Sequence, residues 1–209
     1  MNLRPLATWF LAAASVAAVA ASPQFGLTLT ASKPQGDLGA TDAYDGKIEY
    51  GLGAQLSLDL SPSVVLVPRF DVTRYSRTRS MDYRIPGYFS VRGSAESKAT
   101  LFFLGADVQV FPGGPSASRF YFLAGLGYVS GKFEGSGDMT SFGPGGVMIT
   151  QSHISDSRTH GSVYGAAGFG LRFSRQFSAE ARYIGLDKFT DGDSTVSAPS
   201  LNVSCVFKF

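Results

Sequence analysis

Between residues 47 and 60 the chain alternates without a slip. Ile48, Tyr50, Leu52, Ala54, Leu56, Leu58 and Leu60 take every second position, with Glu49, Gly51, Gly53, Gln55, Ser57 and Asp59 between them. A period of two puts successive side chains on opposite faces of an extended backbone, whereas a helix would scatter the same residues around its circumference. The segment therefore predicts a strand with one apolar and one polar face. Such a strand must satisfy its backbone donors and acceptors on both edges, so it demands further strands.

The chain supplies seven more. In 25–32, Phe25, Leu27 and Leu29 oppose Gly26, Thr28 and Thr30; in 64–75, Val64, Leu66, Pro68, Phe70 and Val72 oppose Arg69, Asp71 and Thr73. Run 99–111 sets Phe102, Leu104, Ala106, Val108 and Val110 against Gly105, Asp107 and Gln109. Run 119–131 sets Phe120, Phe122, Ala124, Leu126 and Tyr128 against Tyr121, Gly125 and Gly127. Runs 162–173, 177–187 and 201–209 continue the pattern, with Gly168, Gly170, Arg172, Glu180 and Arg182 on the polar side. The connections 61–63, 112–118 and 174–176 are short. Those after the first, third, fifth and seventh runs are long and rich in Gly and Ser, and are expected to be mobile loops. Tilted strands of this length cross a hydrocarbon core, and short turns at one end with long loops at the other are the asymmetry of a membrane barrel. The expected fold is all-β: an eight-stranded antiparallel up-and-down transmembrane β-barrel with short periplasmic turns and long extracellular loops.

The N-terminus reads differently. Arg4 precedes an apolar run from Ala7 to Ala20 that ends in Ala18-Val19-Ala20. Residues 1–20 therefore read as a signal peptide cleaved after Ala20 or Ala21, and 21–209 as one barrel domain. A retained signal anchor is the alternative, although the run is short for a spanning helix. The 18 Lys and Arg nearly balance the 16 Asp and Glu, which argues against a nucleic-acid partner. The lone Cys205 excludes an intrachain disulfide framework and falls on the apolar face, where it reads as a small apolar residue.

Alternation alone does not say which face points inward. A soluble lipocalin-like barrel would bury the apolar face. Against this stand the Phe and Tyr crowding that face near strand ends, and the glycines of the polar face, which suit a cramped lumen. The polar face also carries charges of both signs. An eight-stranded bore is just wide enough for side chains to fill, and an unpaired ion inside would cost several kcal/mol. Glu49, Arg69, Asp71, Asp107, Arg172, Glu180 and Arg182 are therefore expected to form a lumenal charge network, with Arg69, Asp107, Glu180 and Arg182 near one middle level.

The whole pattern, and segments such as 119–128 and 201–209, resembles the OmpA/OmpX-like superfamily of outer-membrane β-barrel domains, opacity-type surface proteins included. Phe207 and the terminal Phe209 are similar to the C-terminal signal through which such barrels meet the assembly machinery. The resemblance implies a bacterial outer-membrane location, contact with membrane lipid and lipopolysaccharide, a monomer, no cofactor and no catalysis. It implies a structural and surface-interaction role, adhesion included, exercised by the extracellular loops. A narrow channel for small solutes is the alternative. A lipid-A-modifying enzyme is a second, since His160-Gly161-Ser162 has the His-x-Ser spacing of barrel deacylases. Val163 and Tyr164 depart from that family's pattern, however, Ser162 points inward by parity, and the nearest later acid is Glu180 on another strand.

One stretch invites a ligand. Residues 74–92 hold Arg74, Arg77, Arg79, Arg84 and Arg92 interleaved with Tyr75, Tyr83, Tyr88 and Phe89. Guanidinium forks pair with phosphates and carboxylates and stack on rings. Arg77, Arg79, Tyr83, Arg84 and Arg92 are thus the expected contacts for an anion or an acidic glycan, against the plainer reading of a solvated loop. Asp37, Asp42, Asp45, Asp187, Asp191 and Asp193 match no calcium-loop spacing and read as turn formers, so no metal is expected.

Overall fold

The computed structural model describes residues 23–40, 44, 46–86, 88–113, 119–186, 189–191 and 194–209. The signal segment 1–20 with its cleavage positions lies outside them, as do residues 114–118 and Asp42, Asp45, Asp187 and Asp193. Ten strands run through the described residues: β1 (Gln24–Pro34), β2 (Glu49–Ser61), β3 (Val64–Ile85), β4 (Phe89–Val110), β5 (Phe120–Phe142), β6 (Met148–Arg172), β7 (Phe177–Leu186), β8 (Phe189–Asp191), β9 (Ser194–Val196) and β10 (Ser200–Lys208). Eight of them, β1 to β7 and β10, pair antiparallel in a closed ring, and β10 returns to β1 to seal it. β8 and β9 form a separate hairpin. Closure leaves no sheet edge at the level of the ring, which a β-structure in lipid requires.

The polar face points inward. Thr28, Thr30, Gln55, Arg69, Asp107, Glu180, Arg182 and Ser204 are buried, while Leu27, Leu52, Phe122, Leu126, Val163 and Val203 on the alternate positions are exposed. A soluble barrel would be built the other way round. At the periplasmic end the outward rings crowd into a girdle, Phe25 on Phe209 at 6.5 Å, Phe173 on Phe177 at 5.3 Å and Phe177 on Phe207 at 5.2 Å. Leu58, read with Leu56 on the outward face, is instead fully buried, just before the pairing with β3 shifts register between Asp59 and Ser61. The turn at 174–176 is tight because Ser174 Oγ accepts from the N–H groups of Gln176 and Phe177 at 3.2 and 3.0 Å.

Two of the four long connections are not loops. β3 and β4 stay paired up to Ile85↔Phe89, and β5 and β6 up to Phe142↔Met148. β2 follows β3 only to Thr73, and β7 meets β6 only from Tyr164 onward. A four-stranded sheet therefore rises out of the ring on the extracellular side. Its sequence hides it: both faces meet water there, so Ser, Thr and Arg occupy positions that lipid would otherwise reserve for apolar side chains. Backbone pairing continues without the apolar alternation that marks a membrane strand.

The first extracellular connection is a cap. Gly36 takes a positive φ of 60° and opens α1 (Gly36–Gly39), which drops Leu38 onto the mouth of the bore. Asp37 Oδ2 accepts from the Ser197 N–H at 2.7 Å and ties the cap to the segment leading into β10. Tyr44 packs over Tyr75 at 6.0 Å, and burial pushes its phenol up to about 12.

Candidate functional site

The lumen is filled in three layers. Facing the periplasm, Val65, Val67, Phe111, Tyr121 and Leu123 form an apolar layer. Facing outward, Leu38, Tyr44, Tyr75, Leu101, Phe103, Val129, Tyr164 and Ile184 form another. The charges lie between them.

Arg69 is the hub of that middle layer. Its Nε donates to Asp71 Oδ2 at 2.9 Å, and its Nη1 donates to Asp107 Oδ2 at 2.8 Å and Glu180 Oε2 at 3.1 Å. Arg182 Nη2 donates to the other Asp107 oxygen at 2.9 Å and its Nη1 lies 3.7 Å from Asp71 Oδ2. Three carboxylates thus face two guanidinium groups, and neutral donors support the surplus negative charge. Gln109 Nε2 and the Tyr121 hydroxyl each donate to Glu180 Oε1 at 2.9 Å, and Thr28 Oγ1 donates to Asp71 Oδ1 at 3.0 Å. These three donors were not singled out from the sequence, although parity puts all of them on the inward face. Asp107, Glu180, Arg69 and Arg182 are at most 2% exposed, so the pairs act in a low-dielectric interior where removing one partner is expensive.

Two expected members lie at other heights along the bore. Among the described residues no ion pair joins Glu49 to the cluster; it sits opposite Ser32, toward the extracellular end of β2. Arg172 lies at the periplasmic end of β6, its guanidinium 4.3 Å from the Phe111 ring. Alternation fixes the face of a side chain but not its height along the bore, and height separates these two from the five.

The inward glycines make room for the cluster. A Cβ on Gly125 would collide with Asp107 Oδ1, one on Gly53 with Asp71 Oδ1, and one on Gly170 with the Tyr121 ring. Both oxygens of Glu180 are engaged within the cluster, and its register partner on β6 is Gly170, eight residues along the strand from Ser162. Among the described residues no group of three His, Cys, Asp or Glu side chains could hold a metal ion.

The arginine-rich stretch divides between the two faces of the rising sheet. Arg77, Arg79 and Tyr83 share the inward parity of Arg69 and Tyr75, together with Met81, Ile85, Phe89, Met139 and Ile154. Arg84 and Arg92 lie on the opposite face, where Arg92 Nε is 3.6 Å from Asp82 and its guanidinium is 5.9 Å from the Phe142 ring. The five expected anion contacts therefore do not form one cluster. Tyr88, Val147, Met148 and Ile149 at the tips are all more than half exposed.

A closed eight-stranded ring, polar within and apolar without, defines an integral membrane β-barrel with a filled bore. Residues 6–209 match the outer membrane protein beta-barrel domain model, and the chain belongs to that family, which implies the bacterial outer membrane. Among solved structures it is similar to Ail, the attachment invasion locus protein of Yersinia pestis, crystallised with the heparin analogue sucrose octasulfate. That match has 15% identity over 90% of this chain and 97% of Ail, with a TM-score of 0.50. A major outer membrane protein from Thermus thermophilus aligns at 15% identity over 90% of this chain and 100% of its own, with a TM-score of 0.46. The N-terminal barrel of Pseudomonas aeruginosa OprF aligns at 13% identity over 90% and 100%, with a TM-score of 0.39. No curated protein sequence matches the chain.

Proposed function

We propose that the protein is a non-enzymatic surface-interaction barrel: the filled ring is an anchor and the rising sheet is the part that meets partners, adhesion included. The observation that carries this reading is the sheet itself. Among the described residues β2 pairs with β3 only to Thr73 and β7 with β6 only from Tyr164 onward, so the sheet stands clear of the ring, and its tips present apolar side chains to water. Exposed apolar patches of this kind mark interaction surfaces. Arg77, Arg79 and Tyr83 on one face of the sheet and Arg84 and Arg92 on the other give each face contacts suited to an acidic glycan, and the solved complex of Ail with a heparin analogue supports that choice of partner. Residues 1–20 act as the export signal, the Phe209 segment engages the assembly machinery, and the barrel works as a monomer.

The test is retention of the refolded mature chain on immobilised heparin. The native chain is expected to be retained and to elute with rising salt. A variant with Arg77, Arg79, Arg84 and Arg92 changed to Gln is expected to pass through while still shifting its gel mobility on boiling. Flow-through of the native chain, or equal retention of the variant, overturns the reading.

The channel alternative meets three obstacles in series, an apolar layer on each side of a paired charged layer. Planar bilayers containing the refolded protein are expected to show no stable conductance. Steady openings lost on boiling would reinstate the channel.

A further inference from the structure

The two hairpin tips of the rising sheet are apolar where turns are ordinarily polar. β3 returns as β4 through a turn in which the Tyr88 N–H donates to the Ile85 carbonyl at 3.1 Å. β5 returns as β6 through 143–147, closed by the Gly143 N–H on the Val147 carbonyl at 2.7 Å and the Gly146 N–H on the Gly143 carbonyl at 3.1 Å. Gly145 and Gly146 take positive φ values of 76° and 80°, so this turn needs its glycines but not the apolar run that follows them. Ser90 pairs with Phe142, which sets the two tips side by side. Together they show Tyr88, Val147, Met148 and Ile149 to water, each between 58% and 72% exposed.

Below the apex the chemistry changes in order. Tyr83 and Phe89 meet at 6.0 Å, and the Arg92 guanidinium lies 5.9 Å from the Phe142 ring. From the rung of Asp82, Arg92, Thr140 and Gln151 upward, the charges are Arg84 and Arg92 against Asp82 alone. An apolar end, then rings, then a surplus of cations is the order in which acyl chains, interface and anionic headgroups of a lipid leaflet would receive it. The protein's own membrane is out of reach. β2 leaves β3 at Thr73, and from there to Ile85 the strand runs about 40 Å at roughly 3.4 Å per residue. A tilt of about 45° still lifts the tips about 28 Å, against a headgroup layer of about 5–8 Å.

We infer that Tyr88, Val147, Met148 and Ile149 form a docking surface for the phospholipid leaflet of an apposed membrane, into which they insert while Arg84 and Arg92 meet its anionic headgroups. The tips are convex, and fluid acyl chains close around a convex apolar end where a protein would need a matching cleft. The four inserting side chains carry no charge, so this contact and glycan binding by the arginines are separable.

The experiment uses the refolded mature chain in phosphatidylcholine nanodiscs, mixed with vesicles of phosphatidylcholine and phosphatidylserine. Discs holding the native chain are expected to pellet with the vesicles, and empty discs to stay in solution. The variant Tyr88→Ser, Val147→Ser, Met148→Ser, Ile149→Ser should keep the heat-dependent gel shift, which shows that it folds. It should match the native chain in heparin retention and pellet about tenfold less. Depth is read by an indole. Trp9 is the sequence's one Trp and lies outside 21–209, so Tyr88→Trp places a single probe at the tip. Its emission should move to the blue when vesicles are added and be quenched by brominated acyl chains within them. Thr78→Trp, exposed midway up the sheet, should do neither. The inference is overturned if the Ser variant pellets like the native chain, if Tyr88→Trp gives no response, or if Thr78→Trp responds equally. Absence of pelleting by the native chain also overturns it and leaves a protein as the occupant of the tips.

Discussion

Changing Arg69 to Met is expected to destabilise the barrel by about 3–5 kcal/mol, the usual consequence of removing one partner from a buried ion cluster. Methionine approximates the volume, so the loss is electrostatic. Asp71, Asp107 and Glu180 would be left facing Arg182, which reaches Asp107 and Asp71 but makes no ion pair with Glu180 among the described residues. Glu180 would keep the Gln109 and Tyr121 donors on one oxygen and lose the Arg69 guanidinium on the other. Urea unfolding of the refolded chain in micelles reads the difference. Neutralising Glu180 as well, in Arg69→Met with Glu180→Gln, should cost less than the two single changes added together, because the second removes a charge the first has stranded. Glu49→Gln, outside the cluster, should change stability by less than about 1 kcal/mol. If Arg69→Met also costs under about 1 kcal/mol, the bore is wet and the cluster does not hold the barrel together.

A comparable loss is expected from Gly125→Val. The new side chain would occupy the space of Asp107 Oδ1 and press on the Ala106 carbonyl across the pair. Overpacking of this kind costs about 1–3 kcal/mol by itself, and moving Asp107 would loosen its bonds to both arginines. The control lies on the same strand. A Cβ at Gly135 meets nothing within 4 Å, and valine suits a solvated strand better than glycine, so Gly135→Val should be neutral or slightly stabilising in the same assay. Equal behaviour of the two variants would mean that Gly125 sits where it does for a reason other than room.

The ring was legible because lipid imposes a strict demand. One face of every crossing segment must be apolar, and 48–56 or 120–128 display that demand residue by residue. Where the demand lapses, legibility lapses with it. The strand residues 76–85 of β3 carry Thr, Tyr and Arg with no apolar face and read as a loop, yet they pair along their length. The apolar layers were hidden for the opposite reason: Val64, Val65, Leu66 and Val67 are apolar on both faces, so Val65 and Val67 left no contrast by which to place them inside. Within the lumen, parity identified the face of Arg69, Asp71, Asp107, Glu180 and Arg182. It gives no measure of depth, so Glu49 and Arg172 share a face with side chains that lie at a different level.

The seam between β1 and β10 carries a kinetic consequence. Its hydrogen bonds, Thr30 with Ser204 at 2.7 Å and Ser32 with Asn202 at 2.6 Å, join residues 174 and 170 positions apart. Every other pairing in the ring is a hairpin or a connection between successive crossings. Ordering so long an intervening chain before any reward is gained makes the seam the slowest contact to form. Until it forms, the nascent sheet has two bare ends, each able to capture a neighbouring copy. The final strand therefore acts as the latch that converts an aggregation-prone open sheet into a finished, edgeless body.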